Sequence, residues 1–199
     1  MNIDKISLIK QAWEIVRKNT KLVAMLMGAF IVFNVVQSVT SNYFRETALS
    51  IVVSLAFSAL SIFLEIGFIK IVLKLVDGVK AEFAELWAYP KYFVNLLVSS
   101  ILFGLIVLAG FILLIIPGIY LALRLQFYSY YVVDKDAGIT DSLKMSWEKT
   151  RGKVLDLFLF ALLLIALNIL GALALLVGLL VTIPVSFVAI TLLYRKLSA

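Results

Sequence analysis

The chain has 199 residues, of which 63% are hydrophobic and 15% charged, with a formal net charge of +6. Soluble domains carry roughly 45–50% apolar and about 25% charged residues, so a soluble fold of this size could not bury the excess. Cysteine and histidine are both absent, which excludes disulfides and thiolate sites and removes the commonest general base and imidazole metal ligand.

What remains is an all-α polytopic membrane protein, with several long uncharged runs as its spans. The basic residues lie in short clusters between these runs. That is the arrangement of membrane topology and not of a nucleic-acid-binding patch, so no nucleic-acid partner is expected. No cleavable signal peptide is expected either, because the segment before the first apolar run contains Asp4 and Glu14 and has helical periodicity.

Residues 3–19 place Ile6, Ile9, Trp13 and Val16 on one helical face, and Lys10, Glu14, Arg17 and Lys18 on the other. Asp4 or Ser7 can cap this helix, and Glu14 and Lys18 form an i,i+4 pair. A span follows directly, so the helix is expected to lie in the membrane interface. Span one runs from Leu22 to Thr40 and carries Asn34 and Gln37. Span two runs from Ala48 to Ile69 and continues as helix to Asp77, with Gly78 as its stop.

A second amphipathic piece, KAEFAELWAYP, sets Phe83, Leu86 and Trp87 on one face and ends at Pro90. Span three, Tyr92 to Ile116, is uncharged. Pro117 and Gly118 predict a tight turn into span four, Ile119 to Val133, which is short for a full crossing. Polar residues 134–142 lead into a third amphipathic helix, with Thr140 as its expected cap. Span five is Val154 to Leu175. Span six, Leu180 to Tyr194, contains Pro184 and ends on Arg195 and Lys196.

Sixteen Lys and Arg residues fall on the side of the termini and the two long connections, and only Arg45 falls opposite, with intramembrane Arg124 set apart. The positive-inside rule then puts both termini in the cytoplasm of an inner-membrane protein with six spans.

A shift of 134 residues lays KQAWEIVRKN on KMSWEKTRGK, matching Lys10, Trp13, Glu14 and Arg17 to Lys144, Trp147, Glu148 and Arg151. Around Trp87 the match is weaker and leaves the middle unit open. The reading is a single transmembrane domain over residues 1–199. It holds three parallel repeats of interfacial helix plus transmembrane hairpin, about 3–77, 79–134 and 139–196. Trp13, Trp87 and Trp147 are the expected interfacial anchors, since indole favours the headgroup region.

Ile116-Pro117-Gly118-Ile119, Arg124, Val132-Val133-Asp134, Ser146-Trp147 and Thr150-Arg151-Gly152 resemble the six-span membrane domain attached to some glycerophosphodiester phosphodiesterases. Stand-alone prokaryotic membrane proteins of unassigned function share that domain. The resemblance implies architecture only. No catalytic domain is expected within these residues and the sequence has no histidine, so no phosphodiesterase residue carries over.

Arg124 is the most informative single residue. Counted from span ends, it shares the outer half of the membrane with Asn34, Gln37 and Asn168. The four predict either a pocket for an anionic headgroup or solute, or interhelical bonding that satisfies the arginine. Glu65 is either a proton-carrying carboxylate or an acid paired with a lysine of its own side. Gly171 and Gly178 read as a close helix contact, and no phosphate loop is present. No enzyme, cofactor or metal is expected. The expected function is structural or accessory, in envelope or lipid homeostasis. The alternative is a small-solute or lipid transporter using the cluster around Arg124. Membrane lipids are the expected partners, with a membrane-protein partner or a second copy of the chain.

Overall fold

The computed structural model describes residues 4–45, 49–174 and 178–198. Among these, regular structure is helical throughout: α1 (Lys5–Lys18), α2 (Thr20–Tyr43), α3 (Ser50–Val76), α4 (Phe93–Leu113), α5 (Ile115–Leu125), α6 (Tyr128–Lys135), α7 (Ile139–Lys149), α8 (Val154–Leu173) and α9 (Leu179–Ser198), with two short 3₁₀ turns at Phe83–Trp87 and Pro90–Tyr92. The expected start of span two at Ala48 and end of span five at Leu175 lie outside the described residues.

Five stretches are long and apolar enough to cross a membrane, in α2, α3, α4, α8 and α9. Ile31, Val35 and Val39 on α2, and Ile101, Leu105, Leu108 and Ile112 on α4, are exposed apolar rows that suit a lipid phase and not water. The expected fourth span is not one helix. Residues 119–133 are divided between α5 and α6 by a break at Gln126 and Phe127. The turn into α5 also differs from expectation. Leu114 is extended, at φ −165° and ψ 161°, and makes the reversal, while Pro117 and Gly118 sit in the first turn of α5. A first-turn proline has no intrahelical donor to lose and brings a helical φ with it.

α4 and α5 form a close hairpin in which Gly118 faces Phe111 and Gly110 faces Gly118. The antiparallel register continues through the break, because Phe103 stacks on Tyr128 at 4.8 Å and Lys91 reaches Asp136 at 3.1 Å.

α1 is capped by the Asp4 carboxylate, which accepts from the Ser7 amide at 3.0 Å. Its buried face is Leu8, Ala12 and Val16, whereas Ile6 and Trp13 are exposed. Of the apolar face expected from Ile6, Ile9, Trp13 and Val16, Val16 is buried and Ile9 half-buried, while Ile6 and Trp13 face outward. α1 packs along α9, and the fully buried Ala12 lets the two backbones approach. Lys5 ties α1 to Asp156 in the first turn of α8 at 2.6 Å. The expected Glu14–Lys18 ion pair is absent among the described residues.

α3 ends as expected, with Gly78 at φ 74° and the Val79 amide donating to the Lys74 carbonyl at 2.8 Å. The Trp87 segment is a 3₁₀ turn held against α3, not a free amphipathic helix. Its Leu86 is buried while Trp87 is exposed. Gly67 permits the contact: a Cβ there would collide with the Leu86 backbone. The Glu85 carboxylate accepts from Lys74, from the Tyr89 hydroxyl and from the Glu82 amide, holding the turn in place. α7 begins at Ile139 with Gly138 as its cap, so Thr140 lies inside the helix and does not cap it. Gly171 and Gly178 meet where α8 turns into α9, as expected.

Candidate functional site

The break between α5 and α6 is where the distinctive residues of the sequence converge. Ending α5 at Leu125 leaves its last carbonyls and the following amides without helical partners, and in an apolar layer each must find another. α7 supplies them. The Ser146 hydroxyl donates to the Arg124 carbonyl at 2.9 Å and accepts from the Phe127 amide at 3.2 Å. The Thr150 hydroxyl shares its one hydrogen between the Ser146 carbonyl of its own helix at 2.7 Å and the same Arg124 carbonyl at 2.9 Å.

The Arg124 side chain returns the contact. Its guanidinium lies over the Trp147 ring at 3.8 Å from the centroid. Nη1 donates to the Tyr120 hydroxyl at 2.9 Å, one helical turn back on α5. Nη2 donates to the Trp147 carbonyl, a last-turn carbonyl of α7 with no helical amide left to accept from. The residue is 4% exposed, and its Nε has no partner among the described residues. Trp147 itself is 39% exposed and meets Tyr120 edge-on at 6.0 Å.

The expected cluster of Arg124 with Asn34, Gln37 and Asn168 is not assembled by hydrogen bonds. Asn34 donates to the Phe30 carbonyl of its own helix. Gln37 lies half-buried on α2. Asn168 donates to the Leu164 carbonyl and to the Ser186 hydroxyl at 3.0 Å, joining α8 to α9. The expectation counted depth from Ile119. With α5 starting at Ile115, Arg124 lies one residue before the end of that helix, where α7 can reach it. Trp13 and Trp87 are 47% and 54% exposed, on α1 and on the 3₁₀ turn.

A second polar centre was missed from the sequence. Arg195 on α9 binds Asp77 at the end of α3 through two bonds, Nε–Oδ1 at 2.9 Å and Nη2–Oδ2 at 2.6 Å. Its Nη1 reaches Asp134 of α6 at 2.7 Å, and the Tyr194 hydroxyl donates to the same Asp134 oxygen at 2.8 Å. Asp134 lies past the apolar run that ends at Val133. Burial pushes its carboxyl up, but the Tyr194 hydroxyl and the Arg195 guanidinium outweigh burial and hold it below the usual carboxylate range. Tyr130, Tyr131 and Tyr194 pack above this centre, and Tyr130 also bonds Thr191 at 3.0 Å. The signal was present: Asp77, Asp134 and Arg195 each stand at the same-side end of an apolar run.

Glu65 is half-buried on α3 and has no ion-pair partner among the described residues. Lys70 lies over the Tyr92 ring and Lys74 binds Glu85, so neither serves it. No group of three or more His, Cys, Asp or Glu that could hold a metal ion occurs among the described residues.

These features define an α-helical membrane protein in which the break between α5 and α6 is satisfied by side chains of α7. Residues 93–196, which contain the whole α5–α7 junction, match the family described as a domain of unknown function, DUF7847. The chain belongs to that family. No curated protein matches the chain, and no solved structure does.

Proposed function

We propose that the protein is a non-enzymatic, multi-pass component of the cytoplasmic membrane with a structural or accessory role in envelope or lipid homeostasis. One observation carries this reading. The intramembrane cation that looked most like a binding group, Arg124, is engaged with Tyr120, Trp147 and the end of α7. A solute site would need that guanidinium free to bind and release; here it joins helices.

The antiparallel register of α4 with α5 and α6 supports counting α5 and α6 together as one interrupted crossing. That makes six crossings in three hairpins, with both termini on the cytoplasmic, lysine-rich side. Each hairpin follows a tryptophan-bearing segment, in keeping with three repeats. Kinship with the membrane domain of glycerophosphodiester phosphodiesterases belongs to the same proposal, and the residues that suggest it fall in the α5–α7 junction and the α6 end.

The test is reconstitution together with deletion. Loss of the gene is expected to alter envelope lipid composition, while purified protein in proteoliposomes supports no saturable solute flux. Saturable flux would overturn the reading in favour of a small-solute or lipid transporter. That alternative would then rest on Glu65, the intramembrane acid without an ion pair, and Glu65→Gln should abolish the flux.

A further inference from the structure

A cavity of about 410 Å³ opens between α1, α8 and α9, within the roughly 300–1,000 Å³ of small-molecule sites. Its wall is formed by Leu167, Val181 and Val185 with one polar residue, Thr182, and its rim carries Lys10, Trp13 and Glu14 from α1. Lys10 and Glu14 are exposed and have no ion-pair partner among the described residues, while Trp13 is 47% exposed.

The third pre-span helix shows what this pattern of residues does when complete. Lys144, Trp147 and Glu148 occupy the register of Lys10, Trp13 and Glu14, and there the guanidinium of Arg124 covers the indole at 3.8 Å. Among the described residues no protein cation covers Trp13, and the cavity lies beside it. An indole next to a carboxylate favours an ammonium group. A lysine one turn away favours a phosphate, and the apolar wall favours an acyl chain.

We propose that this cavity binds one zwitterionic aminophospholipid. Its phosphate meets Lys10, its ammonium sits against Trp13 and Glu14, and one acyl chain runs along Leu167, Val181 and Val185. An anionic lipid fits less well, because Glu14 opposes a headgroup of net negative charge and the two rim charges sum to zero. The inference rests on the membrane reading above and names the lipid contact for it.

The test uses the full chain in nanodiscs of equal phosphatidylethanolamine and phosphatidylglycerol, with retained lipid read by native mass spectrometry after release into mild detergent. The expected result is about tenfold preferential retention of the ethanolamine lipid, the effect of one charge-assisted contact. Glu14→Gln and Trp13→Leu should each erase that preference, and Lys144→Gln with Glu148→Gln should leave it intact. Equal retention of both lipids, a preference for phosphatidylglycerol, or selectivity that survives Glu14→Gln would each overturn the proposal. If Glu14→Gln does not fold, the wild-type ratio decides alone. A chain absent from the membrane fraction refutes the broader reading, whereas a membrane-inserted chain that retains both lipids equally refutes only this one.

Discussion

Replacing Arg124 with glutamine removes a guanidinium that does three things at once. Stacking over the partly exposed indole at 3.8 Å stabilises by about 1 kcal/mol. The bonds to the Tyr120 hydroxyl and the Trp147 carbonyl add about 1.5–3 kcal/mol each as charge-assisted contacts. Against this stands a buried charge with no acid beside it in its contacts and an unpartnered Nε, and relieving that desolvation returns a few kcal/mol. Glutamine also keeps one donor for the Trp147 carbonyl. The expected net loss is about 2–4 kcal/mol.

The assay is reversible unfolding in mixed micelles titrated with SDS and followed by helical circular dichroism. The decisive measurement is the double-mutant cycle with Trp147→Leu, which should return a coupling of about 1 kcal/mol. A coupling below about 0.5 kcal/mol, the scatter of independent sites, would refute the argument that arginine and indole act as a unit.

Gly67→Ala should destabilise by about 2–4 kcal/mol, from overpacking plus loss of Leu86 burial, because the new methyl meets the Leu86 backbone and not a flexible side chain; wild-type stability in the same titration would rule that contact out. Arg195→Gln leaves Asp77 and Asp134 without their shared cation, with an expected loss of about 2–3 kcal/mol that Asp77→Asn should partly restore. Asp134 has a depressed carboxyl, so its contribution is fully present above the ordinary pKa of about 3.9 and is lost as pH falls through the lower folded value; Asp134→Asn should flatten the acid limb of stability against pH, and an unchanged limb would count against it. An alkaline phosphatase fusion at Arg45 should be active and one at Lys196 inactive; the opposite pattern would invert the topology.

Membrane class and helix positions were legible because lipid imposes them through composition. Long uncharged runs have no other home, and Gly78 and Asp4 mark helix ends by local chemistry that needs no tertiary context. The face of α1 that packs on α9 was not legible, since Leu8, Ala12 and Val16 turn inward while the equally apolar Ile6 and Trp13 face outward. Neither was the placement of Leu114, because a reversal within an apolar run leaves no polar signal and Pro117 reads equally as turn or first-turn residue. The partners of Arg124 were hidden for the same reason: with α5 starting at Ile115 the arginine stands at the end of its helix, where its bonds go to Tyr120 and to the Trp147 carbonyl of α7. The partner of Asn168, Ser186, lies 18 positions along the chain, and span counting alone could not choose it over Arg124.

The α5–α7 junction explains why its residues stand together in the sequence. Two helices end here, and each end leaves carbonyls without amides. The α5 end presents the Arg124 carbonyl, which takes the Ser146 hydroxyl and a share of the Thr150 hydroxyl from α7. The α7 end presents the Trp147 carbonyl, which takes the Arg124 guanidinium from α5. Each terminus therefore supplies the donor the other lacks, through side chains that an apolar substitution could fill in volume but not in bonding. An arginine suits this exchange better than a lysine because its planar fork can donate to Tyr120 and to the Trp147 carbonyl while its face rests on the indole. On this argument Arg124→Lys, which keeps the charge and loses the fork, should recover less than half of the stability lost in Arg124→Gln. Full recovery would mean that charge alone holds the junction.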